Sequence, residues 1–310
     1  MRNINIEAND AGQRLDRFLK KYLANAPLSA IYKIIRKDLK VNGKRAKEDS
    51  MLAEGDVLSI YLPDVDIDAM LARKKTHRKA KKQFTICYED DAMIVVSKPF
   101  GLLVHGDKSE KKDTLANQVV DYLIEKGDYS PRLEKSFVPS PVHRLDRNTT
   151  GLVVFGKTAE SLRELSRIFR EEHDSEICKI YYTIVHGKLD EEKHLKNKLL
   201  KDPVKNKGLV LPVDDERGKY IETIVRPLYA GEKYSIAEVE LVTGRSHQIR
   251  AHLASIGHPL VGDTKYGGKY YSTQILHAAK LRVKDIEISA PLPPMWQDAQ
   301  LELFGKEILK

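Results

Sequence analysis

The segment HRLD, residues 143–146, sets one carboxylate, Asp146, between Arg144 and Arg147, and the chain then passes through a Thr-Thr-Gly turn into the apolar stretch 152–155. A carboxylate is ionised at neutral pH, so it can serve as a nucleophile but makes a poor general acid. The same residues also meet the needs of a structural ion pair, because a charge at the edge of a buried strand must find a partner. Two other segments carry polar groups in apolar surroundings: Lys179-Ile180-Tyr181-Tyr182, and TGRSHQIRAHLASIGHPLVGDTKYG at 243–267. His247, His252 and His258 lie close together there, but the first two are five apart rather than the four of an HExxH helix, with no glutamate between them, so a metal site is not expected. GRSHQIR also lacks the spacing of a phosphate loop. A glycosidase would need a second carboxylate facing Asp146, a part that Asp263 or Glu240 could play in the fold.

These residues need a core to hold them. The 310 residues are 41% apolar, enough for one large domain and a small one, and no run approaches the roughly 20 apolar residues of a membrane span. The start MRNINIEANDAGQR lacks the basic-then-apolar pattern of a secretory signal, so a soluble cytoplasmic protein is expected. The two cysteines, Cys87 and Cys178, have no CxxC spacing and sit in strand-like segments, which favours buried thiols over redox or zinc chemistry. Charge is distributed unevenly: residues 1–82 hold 19 Lys/Arg against 11 Asp/Glu, and residues 83–310 hold 34 against 34. A basic excess confined to one end suits a module that docks on a polyanion, and it also suits a solvated basic tail.

Leu15, Phe18, Leu19 and Tyr22 recur at helical spacing, and a second helix follows with Ser29 as its cap and Ile31, Ile34 and Ile35 inward. LKVNGKRA offers an Asn-Gly turn and EGDVLSIYLP a strand ending at Pro63. Residues 64–83, acidic then strongly basic in RKKTHRKAKK, predict a flexible charged linker. Beyond it come two apolar runs around a Glu-Asp-Asp turn, a strand at 152–155, a helix capped by Thr158, strands in KIYYTIVHG and YSIAEVELVTG, and a helix over 246–256. The pattern lacks regular βα alternation, so an α+β class with a mixed or antiparallel sheet is expected.

HRLDRNTTGLVVFGKT, KIYYTIVHG, LVTGRSHQIRAHLASIGHPLVGDTKYG, the opening VVSKPFGLLVHG and the closing LHAAKL…APLP together resemble the RluA-type pseudouridine synthase family, in family order over residues 84–296. The first 62 residues resemble an S4 RNA-binding domain, and the combination is most similar to the RluC-like branch that acts on large-subunit ribosomal RNA. Thr150 and Ser246 stand where the family more often has serine and threonine, each keeping a hydroxyl.

The resemblance implies an S4 domain over 1–63, a linker over 64–83 and a catalytic domain over 84–310. It implies an isomerase that breaks the N1 glycosidic bond of a uridine, turns the base in the pocket and rejoins it through C5, with no cofactor and no metal. Asp146 becomes the nucleophile, attacking the sugar C1′ or the base C6. Arg245 becomes the arginine paired with it, and Tyr181 the ring stacked on the uracil and a candidate for removing the C5 proton. Arg144 would enter the space left by the flipped nucleotide, His143 would shape the site, and Arg147 belongs with them to the base-binding set. Lys33, Arg36, Lys37, Lys40, Lys44 and Arg45 become the S4 contacts to RNA. The implied partner is ribosomal RNA, with transfer RNA as the alternative target, and the implied state is a monomer. A non-catalytic assembly factor is the rival class, and it would normally have lost Asp146, Tyr181 or Arg245.

Overall fold

A computed structural model describes residues 1–71, 80–107, 110, 112–131, 133–171, 176–202 and 207–310. The chain forms two compact units, one of residues 1–80, 119–140 and 156–163, the other of residues 81–118, 141–155 and 164–310. Among the described residues no helix is long and apolar enough to cross a membrane.

The first unit opens with strand β1 (Arg2–Asn5), helices α1 (Leu15–Tyr22) and α2 (Leu28–Lys37), strands β2 (Leu39–Val41) and β3 (Val57–Ile60), and helix α3 (Asp64–Met70). The strands form an antiparallel sheet in the order β1-β3-β2. The expected apolar stripes of α1 and α2 are the ones buried: Leu15, Phe18 and Leu19 with Ile31, Ile34 and Ile35. Ser29 is not the cap of α2. The helix begins one residue earlier, after an extended Pro27, with no side-chain cap bond. At the Asn-Gly turn both residues take positive φ, 49° and 75°, and Val41 N–H donates to Lys44 C=O.

Residues 64–70 differ from the expected linker. Pro63 precedes a helix whose first turn carries Asp64 and Asp66, the charge that a helix N-terminus favours, and Ile67 is fully buried in the first unit's core. The acidic residues masked an apolar set, Ile67, Met70 and Leu71, at helical spacing. Most of the basic run, 72–79, lies outside the described residues. Ala80 is buried, its N–H donating to the Asp121 carboxylate at 3.0 Å.

The first unit also takes in segments expected in the catalytic domain, and the reason is polar. The side chain of Asn9 donates to Glu134 and accepts from Ala159 N–H, Ser136 bonds Asp10 and Gln13, and Arg163 donates to Ala11 C=O.

The rest of the chain supplies β4 (Thr85–Glu89), β5 (Met93–Lys98), α4 (Leu115–Lys126), β6 (Ser140–Pro141), β7 (Thr150–Gly156), α5 (Ala159–Ile168), β8 (Ile177–His186), β9 (Lys193–Asp202), β10 (Lys207–Leu211), β11 (Lys219–Ala230) and β12 (Tyr234–Leu241). After these come α6 (Gln248–Ser255), a 3₁₀ turn (Thr264–Tyr266), β13 (Leu276–Val283), β14 (Ile286–Ser289) and α7 (Pro294–Phe304). One large sheet runs in the order β10-β9-β11-β12-β8-β13-β7-β5-β4, with β14 on β13 and β6 on β7. Most pairings are antiparallel, while β13 and β7 are parallel, so the sheet is mixed and the class is α+β. Cys87 and Cys178 are unbridged and half-buried on β4 and β8.

β7 is buried at every residue and follows HRLD directly. Gly151 is what lets it lie so close to β13. Its φ is +107°, and a Cβ there would sit 2.2 Å from the carbonyl oxygen of Ala278, its register partner. Gly151→Ala should therefore cost about 3 kcal/mol or more of unfolding free energy in urea titrations, since the clash is with backbone and the conformation suits only glycine.

Candidate active site

A cavity of about 270 Å³ opens where the loop before β7, strand β8 and the 244–250 segment meet. Asp146, His143, Arg144, Lys179, Tyr181, Arg245 and Arg250 all line it, so three segments far apart in sequence converge on one space.

The loop is held from behind. Lys98, at the end of β5, is buried, and its ammonium donates to the carbonyls of Pro99, Leu102 and Arg147 at 2.9, 2.8 and 2.9 Å. Gly101 N–H donates to the same Arg147 carbonyl, and Thr149 N–H closes a turn on the carbonyl of Asp146. Burial pushes the Lys98 ammonium down to about 7, with Asp146 acting in the opposite direction. Three acceptors need three N–H donors, which only the charged form has.

The ion pair on Asp146 comes from Arg250. Arg250 Nε and Nη2 donate to Asp263 at 2.6 and 2.8 Å, and Nη1 donates to Asp146 Oδ2 at 3.0 Å. This corrects the assignment of Arg245 as the pairing residue. Arg245 lies before α6, exposed on the cavity rim, whereas Arg250 is inside the helix with its side chain 8% exposed. α6 is buried from Gln248 to Leu253, and an arginine within a buried helix must have an anionic partner. Asp263, considered above as a second carboxylate facing a substrate, is instead the buried anchor of that arginine. Glu240 pairs with Arg226.

His247 also reaches Asp146, its Nε2 standing 3.7 Å from Oδ2. Gly208 N–H donates to Tyr266 Oη at 2.7 Å, and the same hydroxyl lies 3.1 Å from His247 Nδ1. Burial lowers the His247 pKa, opposed by Asp146. The residue has a left-handed backbone, φ 60°, and Gln248 secures the turn: its carbonyl accepts from Thr243 Oγ1 and Arg245 N–H, and its amide donates to Glu222 C=O and Thr223 Oγ1.

The imidazole of His143 and the phenol of Tyr181 are the neutral parts of the wall. His143 stacks on Phe169 with ring centroids 4.7 Å apart and accepts from Val154 N–H, and burial pushes its pKa to about 3, with Lys179 adding to the effect. Burial and then Asp146 push the Tyr181 phenol upward, so the ring stays protonated. Tyr182 faces the other side of β8, against the core that contains Ile184 and Trp296. Arg144 is exposed at the rim, and the carbonyl of Arg147 is fixed by Lys98. Lys33, Arg36, Lys37, Lys40, Lys44 and Arg45 are all exposed on the first unit and take no part in this cavity.

Residues 92–255, which carry the HRLD loop, Tyr181 and Arg250, match the family described as RNA pseudouridylate synthase. The chain is 34% identical over 309 residues to the ribosomal large subunit pseudouridine synthase C of Vibrio cholerae, covering 93% of this chain and 92% of that protein. The chain belongs to the RNA pseudouridylate synthase family. It is 33% identical over 281 residues to the protein of the same name from Escherichia coli, covering 88% and 82%. The fold agrees with human RNA pseudouridylate synthase domain containing 4, at a TM-score of 0.56 and 21% identity over 70% of this chain. The protein is thus an RNA pseudouridine synthase, an isomerase whose substrate is RNA.

Two predictions test the geometry of this synthase. Lysine cannot span Asp263 and Asp146 as the arginine fork does, so Arg250→Lys should lower kcat about 100-fold, measured by tritium release from uridine-C5-labelled RNA. Burial also holds His143 at about 3 and His252 and His277 at about 4. The unfolded chain protonates each near 6.5 while the folded chain does not, so stability falls as pH drops from about 6.5 toward 4. Each histidine should contribute about 1.4 kcal/mol per pH unit in that window, and His252→Gln should flatten the slope of urea unfolding free energy by that amount.

Proposed function

We propose that this synthase isomerises uridines of large-subunit ribosomal RNA in the cytoplasm, with Asp146 as the nucleophile. The observation that carries the reading is a lone carboxylate in a cavity: among the lining residues Asp146 is the one acid, and Arg250 and His247 both address its Oδ2. Oδ1 takes no hydrogen bond among the described residues and is the oxygen available for attack. The ribosomal target is supported by the likeness to the Vibrio cholerae and Escherichia coli proteins over nearly the whole chain.

The remaining roles follow from charge and position. Tyr181, buried at the wall and kept protonated, serves as the surface on which the uracil stacks while it turns. It is poorly suited to be a phenolate base. Arg144, exposed at the rim, fills the place of the extruded nucleotide, offsetting part of the few kcal/mol that flipping costs. Arg245 at the entrance and the exposed Arg147, next to Asp146 in sequence, contact phosphates, and His143 shapes the wall. Residues 1–63, within the first unit, act as an S4 domain that meets RNA through Lys33, Arg36, Lys37, Lys40, Lys44 and Arg45, while the second unit carries the catalytic cavity. The net charge of the chain, +8, lies wholly in the first 82 residues, as such a division requires.

Asp146→Asn should reduce tritium release from C5-labelled ribosomal RNA more than roughly 1,000-fold while RNA affinity stays within a few-fold of the parent. Substantial release by that variant would overturn the nucleophile assignment. Pseudouridine mapping of large-subunit ribosomal RNA from cells lacking the protein tests the target: absent sites that return on complementation support it, and an unchanged map refutes it.

A further inference from the structure

Next to the active cavity lies a second one, of about 200 Å³, lined by Leu199, Lys201, Lys207, Gly208, Lys219 and the segment 245–247. We propose that this second cavity binds a phosphodiester of the RNA strand beside the target uridine, gripped by Lys201 and Lys219. The inference rests on the reading of the enzyme as one that acts on an RNA strand at Asp146.

Strand register explains how the lysines come together. Gly208 pairs with Lys201 across the β9–β10 ladder, and Lys219 pairs with Leu199 across β9–β11. Directly opposed residues share a face, so Leu199, Lys201, Gly208 and Lys219 point the same way. The apolar end of that face, Leu199 with Ile221, is packed against Ala251 of α6 and Tyr266. At the other end the core pattern gives way to two lysines whose exposed side chains have no salt bridge or hydrogen bond to any described residue. A solvated lysine on the outer face would be ordinary. Two on the face that turns inward, around a hollow with no acid in its lining, focus positive potential into that hollow.

The floor is close-set. A Cβ on Gly208 would sit 2.8 Å from Leu199 Cδ1, the end of that side chain, and the Gly208 N–H is fixed on Tyr266 Oη. Lys207 lies over the same ring, with Nζ 4.9 Å from the centroid, and Arg250 lies 5.1 Å from it. Residues 245–247 line both cavities, and His247 stands between the lysines' cavity and the carboxylate at 3.7 Å. A polyanion occupying one is therefore a single side chain away from the other, which fits a strand whose base is in the first cavity and whose backbone crosses the second.

The test uses the full-length protein and two RNAs: a uridine-free single strand of roughly 20 nucleotides, which reports backbone binding alone, and C5-labelled ribosomal RNA, which reports catalysis. The Lys201→Gln, Lys219→Gln double variant should bind the uridine-free strand about tenfold more weakly near 0.1 M salt. The slope of log affinity against log salt should fall by about one to two. On ribosomal RNA its KM should rise with kcat within about twofold of the parent. The Lys201→Arg, Lys219→Arg variant should restore both affinity and slope. An unchanged slope in the glutamine variant overturns the proposal, and so does failure of the arginine variant to restore binding, because the site would then be one of shape rather than charge. If the parent protein is inactive on ribosomal RNA, the target reading falls, and the salt slope on the uridine-free strand still decides the phosphate site.

Discussion

The guanidinium of Arg250, shared between two carboxylates, is the interaction on which the active site depends. Its side chain is 8% exposed and that of Asp263 1%, while Asp146 remains 26% exposed. The asymmetry separates the roles. Asp263 holds two prongs of the fork and is shut away from substrate, so it fixes the plane of the guanidinium, and the third nitrogen meets Asp146 where the cavity begins. Breaking such a buried pair leaves an uncompensated charge, at a cost of about 3–5 kcal/mol, so the arrangement is held firmly once formed. The Asp146 carboxylate is thereby positioned by an interaction that it does not itself have to bury.

The rest of the site can be understood as support for that fork. Lys98 gathers three carbonyls under the HRLD loop, so the loop's backbone cannot drift from Arg250. Gln248 bonds Thr243 and Arg245 in the turn before α6 and Glu222 and Thr223 on β11, and thereby sets where the helix begins, two residues before Arg250. Tyr266 lies under both Arg250 and Lys207 and bonds His247 and Gly208, so the ring links the carboxylate cluster to the β9–β10 hairpin. Each of these groups touches Asp146 only through one intermediary.

Much of this was legible in sequence because burial writes itself in apolar spacing. The stripes of α1, α2 and α5 and the strands β7, β8 and β12 could be read from residue types, and the convergence of HRLD with Lys-x-Tyr and TGRSHQIR on one site from the family resemblance. What could not be read was which of two arginines, five positions apart in one segment, meets the carboxylate. That depends on where α6 begins, and the start is set by Gln248 and a left-handed His247, which no periodicity announces. The acidic helix α3 was missed for a similar reason, since one buried Ile67 outweighs five exposed neighbours only when a core is present to receive it. The anchoring part of Asp263 could not be read because its partner, Arg250, is 13 residues away.

Burial also decides which groups at the site are charged. His143 and Tyr181 are held neutral by the same desolvation that would make an unpaired ion costly, and Arg250 stays cationic because two carboxylates compensate its burial. Asp146, at the mouth, is partly exposed and paired with Arg250. A base entering the cavity meets one anion, a neutral aromatic wall and a cationic rim. The separation of charge from neutrality within one cavity follows from how deeply each side chain sits, and it leaves Asp146 as the one carboxylate among the lining residues.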